Sequence, residues 1–102
     1  MTLTVSIAAL ARQVVNAAAA QVGVTPDAVM SDIRTTDVVL ARHVAMYVLR
    51  TRHHLSYSEI GKLLDRDHST VMYGYRKIYD GIVNFDIFWT VSETLKRLDR
   101  PR

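Results

Sequence analysis

Apolar residues recur at steps of three and four through almost the whole chain, and no stretch alternates with the two-residue period of a strand. Ile7, Leu10, Ala11, Val14, Val15, Ala18 and Val22 trace a first amphipathic helix. Gly23 ends it, because glycine enters the left-handed conformation without steric cost. Thr25 followed by Pro26 is a cap with a proline at the first helical position, which predicts a short second helix over Pro26 to Met30. Ser31 to Thr36 reads as a polar linker. A third helix is expected from about Asp37 to His53. Its buried stripe is Val38, Val39, Ala41, Val44, Ala45, Val48 and Leu49, with Arg42, His43, Arg50 and Arg52 toward the outside.

The segment Leu55 to Ile78 changes the pattern. Ser56 with Glu59 three residues on is a capping box, in which side chain and backbone satisfy each other's orphan donors. Ile60, Leu63 and Leu64 give the short helix that follows its apolar face. Gly61 on that helix leaves room for a close neighbour. Asp65 and Arg66 form a turn, and Asp67 is the expected N-cap of a fifth helix with the stripe Val71, Tyr75, Ile78 and Ile82. Asn84 to Asp86 reads as a break before a last helix closed by Ile87, Phe88, Val91, Leu95 and Leu98. Phe85, Phe88 and Trp89, with Tyr79, are expected to close the core, an exposed patch being the alternative. Tyr73, beside Gly74, lies off the apolar stripe and is expected on the exposed side, without an assigned role.

These elements define an all-α fold: a single domain spanning residues 1–102, a compact bundle of about six helices with a helix-turn-helix. The helix-turn-helix occupies about residues 56–84. At 102 residues the chain can bury one core unaided. It contains no cysteine, which excludes disulfides and thiolate metal sites. Arg12, Gln13 and Asn16 interrupt the alanine-rich first helix, so it reads as neither signal peptide nor membrane span, and the cytoplasm is the expected compartment.

The net charge of +3 says less than its distribution. Residues 1–33 carry one basic side chain, Arg12, against Asp27 and Asp32. Between Arg42 and Lys77 lie seven basic residues, three acids and all four histidines. Such an excess around a helix-turn-helix is the footprint of a nucleic-acid binder, although an ordinary solvated face looks the same. The start of the fifth helix offers unpaired N–H groups and partial positive charge, and His68, Ser69 and Thr70 are short or planar enough to approach a base edge. Asp67 could accept from cytosine N4 or merely cap the helix; spacing alone leaves both open.

The run Ala41 to Ile78, ARHVAMYVLRTRHHLSYSEIGKLLDRDHSTVMYGYRKI, resembles the C-terminal DNA-binding domain (domain IV) of the bacterial replication initiator DnaA. The resemblance rests on Arg42, Ala45, Met46 and Tyr47, then Ser56, Glu59, Ile60 and Gly61, then Arg66 to Val71, and finally Arg76 to Ile78. It extends more weakly over the rest of the chain, and implies a Trp-repressor-like, DnaA domain IV-like helical bundle. It implies that Asp67, His68, Ser69 and Thr70 face the major groove and its flanking phosphates, and that Arg42, Arg50 and Arg66 hold phosphates, with Lys62 at the rim. His43, Ser56 and Tyr57 complete the implied interface. Arg34 matches the family's minor-groove arginine, which senses groove width rather than a base code.

Three departures accompany the match. Arg34 stands alone between Asp32 and Asp37 where the family carries several basic residues. The turn before Arg66 is a residue shorter, with Asp65 replacing a glycine pair. His43 stands where the family has glutamine. None of Gly23, Gly61, Gly74 and Gly81 lies in a phosphate-binding loop, so the chain reads as the DNA-reading head without the ATPase module. Histidine spacing gives no zinc site, and Ser, His and Asp residues form no nucleophile arrangement. The expectation is a non-enzymatic, cofactor-free monomer that binds double-stranded DNA at DnaA-box-like sites and acts in replication initiation or its control, alone or with replication proteins such as a host initiator. The alternatives are a phage- or plasmid-type transcriptional regulator with another operator, and a protein-interaction module that kept the fold.

Overall fold

Five of the six helices start where a short polar side chain accepts from the freed backbone N–H groups of the first turn. In the computed structural model, which describes residues 6–100, Ser6 accepts from Ala9 N, Thr25 from Ala28 N, Ser56 from Glu59 N, Asp67 from Ser69 N and Asn84 from Asp86 N. These caps open α1 (Ile7–Val22), α2 (Pro26–Met30), α4 (Tyr57–Leu64), α5 (His68–Gly81) and α6 (Phe85–Asp99). Only α3 (Thr36–Thr51) begins, at Thr35, without a side-chain cap bond. No strand occurs among the described residues. Pro101 and Arg102 lie outside them.

The interior is built on α3. Val44, Ala45, Met46, Val48 and Leu49 are fully buried, with α1 on one side and α5 on the other. From α1 come Val14, Val15, Ala18 and Ala19; from α4 and α5 come Ile60, Leu64, Val71 and Ile78. The small residues of α1 let it lie close to α3, and α6 covers α1 from outside. Gly23, at φ +92°, ends α1 in the left-handed region, where its N–H donates to Ala19 O.

Four sequence expectations need correction. Helix α3 ends at Thr51, not His53, because His54 turns to φ +56° and Leu55 N then bonds back to Leu49 O. The break before α6 is shorter than Asn84 to Asp86: Asn84 Oδ1 caps both Asp86 N and Ile87 N, so Phe85 is already helical. Phe85, Phe88 and Trp89 do not close the core; they are 71%, 52% and 48% exposed. The inward stripe of α6 runs through the expected Ile87, Val91, Leu95 and Leu98, joined by Thr94, and of the expected stripe only Phe88, one residue along from Ile87, is rotated outward. Thr94 reaches zero exposure by donating its hydroxyl to Thr90 O. Finally, Arg42 lies inside the protein and not on the outer face of α3.

The α4–α5 turn places the first turn of α5. Asp65 closes α4 at φ 54°, ψ 52°, and Arg66 N donates to Gly61 O at 2.8 Å. The Arg66 carbonyl lies over Gly61 where a Cβ would stand, so only glycine permits this approach.

Candidate nucleic-acid interface

Asp67 adopts extended backbone (φ −64°, ψ 145°) and turns its carboxylate back over the first turn of α5. Oδ1 accepts from Ser69 N at 2.8 Å and from Ser69 Oγ at 2.6 Å, and stands 3.5 Å from His68 Nδ1. These contacts, led by the Ser69 hydroxyl and then its N–H, hold the Asp67 carboxyl below its ordinary pKa. The carboxylate is therefore a cap that still presents Oδ2, which takes none of those bonds. His68 and Thr70 are exposed beside it. Lys62, Arg66, Asp67 and His68 gather around the turn over Gly61, lining a shallow depression of about 510 Å³.

A second, larger groove of about 650 Å³ separates the residue 32–35 loop from α3 and α5. Arg34 lines its loop side, Thr36, Arg42 and His43 its α3 side, and Thr70, Tyr73 and Lys77 its α5 side. The His43 and Tyr73 rings meet edge to face at 5.9 Å, and Lys77 Nζ stands 5.4 Å from the Tyr73 ring centre. Gly74 makes this contact possible: a Cβ there would lie 2.8 Å from His43 Cδ2 and 2.5 Å from Met46 Sδ. Tyr73, Lys77 and Thr36 were not among the expected site residues. Thr70, Tyr73 and Lys77 follow each other at steps of three and four, a polar stripe beside the apolar one that the sequence already displayed.

The arginines are arranged differently from the expectation. Arg42, assigned to phosphate, is only 7% exposed, and its guanidinium donates to backbone carbonyls: Nε to Val29 O at 2.8 Å, and Nη2 to Ser31 O at 2.8 Å, Ile33 O at 3.0 Å and Ala28 O at 3.3 Å. Desolvation lowers its pKa, and Arg66 adds to this. Arg66 Nη2 also donates to Ser31 O, and its Nη1 to Asp65 O. Arg50 donates to Leu55 O at 3.1 Å and lies 4.5 Å over the Tyr57 ring, in a separate cluster where Tyr57 meets Tyr75 edge to face. Ser56 accepts from Glu59 N, and its own N–H donates to Glu59 Oε1, so both are engaged in the capping box.

The histidines make stability depend on pH. Burial, then the Arg42 and Lys77 charges, lowers the pKa of His43; burial, then Arg52 and His54, lowers that of His53. Such a histidine binds its proton more readily in the unfolded chain. Its stabilisation is therefore complete above the unfolded value of about 6.5 and is lost as pH falls below it. Thermal melts are expected to be flat from pH 8 to 7 and to decline from about pH 6.5 downward. His43→Gln should flatten that decline, and an unchanged slope would remove His43 as its source. The capping carboxylates Glu59 and Asp67, whose pKa values are also lowered, act in a separate window: their contribution is lost only as pH falls below about 4.

Among the described residues no cluster of histidine, aspartate and glutamate could hold a metal ion, and no helix is long and apolar enough to cross a membrane.

Residues 11–78 match the family described as the bacterial dnaA protein helix-turn-helix. The chain is 36% identical over 87 residues to chromosomal replication initiator protein DnaA 1 of Chlamydia trachomatis, an alignment covering 85% of this chain and 19% of that protein. It is 43% identical over 75 residues to the DnaA of Streptococcus agalactiae, covering 72% and 17%. With the DnaA of Herpetosiphon aurantiacus it is 46% identical over 63 residues, covering 61% and 13%. The chain thus spans a fifth or less of the length of these relatives.

Proposed function

The chain belongs to the bacterial DnaA helix-turn-helix family, and from that premise we propose that it binds double-stranded DNA sequence-specifically, at DnaA-box-like sites, in replication initiation or its control. The observation that carries this reading is the junction of two readers on one face. The exposed first turn of α5, from Asp67 to Thr70, adjoins the groove whose far wall bears Arg34. In the proposed complex α5 enters the major groove with Asp67, His68 and Thr70 at base edges, while Arg34 reaches the adjacent minor groove. Lys62 and Lys77 flank this face and meet phosphates. The role is binding rather than catalysis, and the domain reads its site as a monomer.

Because Arg42, Arg50 and Arg66 already donate to backbone carbonyls, few cations remain for phosphate. Each neutralised phosphate contributes roughly 0.9 to the slope of log affinity against log salt, so the slope should be shallow for a domain of this net charge. A transcriptional regulator with a different operator is the second reading. It is favoured by one observation, the solitary Arg34 flanked by Asp32 and Asp37.

Selection from a random duplex library decides between them. The expected result is enrichment of an AT-rich, non-palindromic box. An unrelated enriched sequence would replace the replication reading by the regulatory one, and no enrichment at low salt would end both.

A further inference from the structure

We infer that Arg42 and Arg66 are positioning residues: together they fasten the loop bearing Arg34 to the helix-turn-helix, so that the minor-groove and major-groove readers are presented in one register. This inference rests on the proposed DNA reading.

Helix α2 has only five residues, too few to hold its shape alone, and of its last carbonyls only Ala28 O is closed by the capping Ser31 N–H. Arg42 adds donors to that carbonyl and to others that follow. Its planar fork reaches four carbonyls, at residues 28, 29, 31 and 33, on both sides of the helix end. Ser31 tightens the same turn: its hydroxyl donates to Ala28 O at 2.6 Å and accepts from Ile33 N at 3.1 Å. Arg34 follows directly on the last of these carbonyls. The position of its backbone is therefore set by a side chain of α3.

Arg66 supplies the second link. Its Nη2 donates to Ser31 O, the carbonyl that also accepts from Arg42 Nη2, across 35 residues of sequence. Arg66 immediately precedes the cap Asp67, and its own carbonyl rests on Gly61. A continuous path thus runs from the Arg34 loop through Ser31 O and Arg66 to the first turn of α5. A guanidinium occupied in this way is a poor phosphate ligand. Its charge still matters, since a charged donor makes a stronger bond to a carbonyl than a neutral one.

Lysine separates the two roles. It keeps the charge that a phosphate needs but has a single ammonium, which cannot span four carbonyls. Arg42→Lys, Arg34→Ala and their double variant are compared with wild type on the selected duplex by salt-titrated anisotropy. Amide exchange of Ser31 and Ile33 is measured on the same proteins without DNA. Arg34→Ala is expected to cost about tenfold in affinity in the wild-type background and under about twofold in Arg42→Lys, with loop exchange at least about tenfold faster in the lysine variant. Arg66→Lys should weaken the effect of Arg34→Ala in the same sense, and it supplies the test if Arg42→Lys fails to fold.

An equal effect of Arg34→Ala in both backgrounds would overturn the coupling, as would unchanged loop exchange. So would a salt slope that falls in Arg42→Ala and is restored by lysine, the signature of a phosphate contact. If wild type binds no duplex, the DNA reading fails and the coupling falls with it. If wild type binds and Arg34→Ala is additive, the coupling alone fails.

Discussion

Gly61→Ala is expected to destabilise the protein by about 2 kcal/mol, although alanine is the better helix former. The added Cβ would stand well inside van der Waals contact of the Arg66 carbonyl, which is backbone and cannot rotate away as a side chain could. Forcing the turn outward costs about 3 kcal/mol, and the gain in helix propensity returns about 1. For a domain of this size the net loss lowers the melting temperature by on the order of 10 °C. Gly81→Ala is the matched control. There a Cβ meets only Ile87 Cγ1 at 3.6 Å and Cγ2 at 3.8 Å, ordinary contact, so the propensity gain of about 0.5–1 kcal/mol should appear undiminished. Gly74→Ala falls between, because the atoms it meets belong to the flexible Met46 and to the His43 ring. Equal melting temperatures for the Gly61 and Gly81 variants would mean that the turn yields freely, and α5 would then have no fixed seat on α4.

This contrast shows which part of the fold the sequence displayed. Helix starts were legible because a cap is a local bond: Ser56 with Glu59, Asp67 with Ser69, and Thr25 before Pro26 each close within three residues. The value of Gly61 was legible only in kind. A glycine on a helix signals a close approach, but the atom approaching, a carbonyl five residues on, depends on how Asp65 turns into the left-handed region. The aromatic residues of α6 were misplaced for the same reason. Phe88 and Ile87 are neighbours in sequence and both apolar, and the choice of which faces α1 is made by the axis of α6 in the assembled bundle. Periodicity fixes a stripe only to within about one residue when both candidates are hydrophobic.

The candidate site divides along the same line. Asp67, His68 and Thr70 were proposed from a cap and an ordered motif, and they lie together, exposed, at the start of α5. Arg42 was assigned to the surface because a charged side chain in an apolar helix ordinarily points to water. Its burial became possible through four carbonyls from α2 and the following loop, nine to fourteen residues away, which no local pattern announces. Tyr73 and Lys77 were readable on the polar stripe of α5. Their joint position opposite Arg34 was not, since it requires α3 and α5 to cross at Gly74.

Asp67→Asn and Asp67→Ala are expected to separate capping from reading. Asparagine caps a helix as well as aspartate, so its amide oxygen can still accept from Ser69 N and Ser69 Oγ, and the melting temperature should remain near that of wild type. Alanine removes the cap and should cost about 1 kcal/mol. On DNA the two should both lose discrimination. If Asp67 Oδ2 accepts from a cytosine amino group, the asparagine NH2 opposes a donor with a donor, and preference at that base pair falls by about 10- to 100-fold, the equivalent of roughly 1–3 kcal/mol. Non-specific affinity should move the other way, because a negative charge has been taken from the face proposed to meet phosphates. A stable asparagine variant that binds random duplex more tightly and its box less selectively would identify Asp67 as a reader. Unchanged base preference in that variant would reduce Asp67 to a cap and shift direct readout to His68 and Thr70.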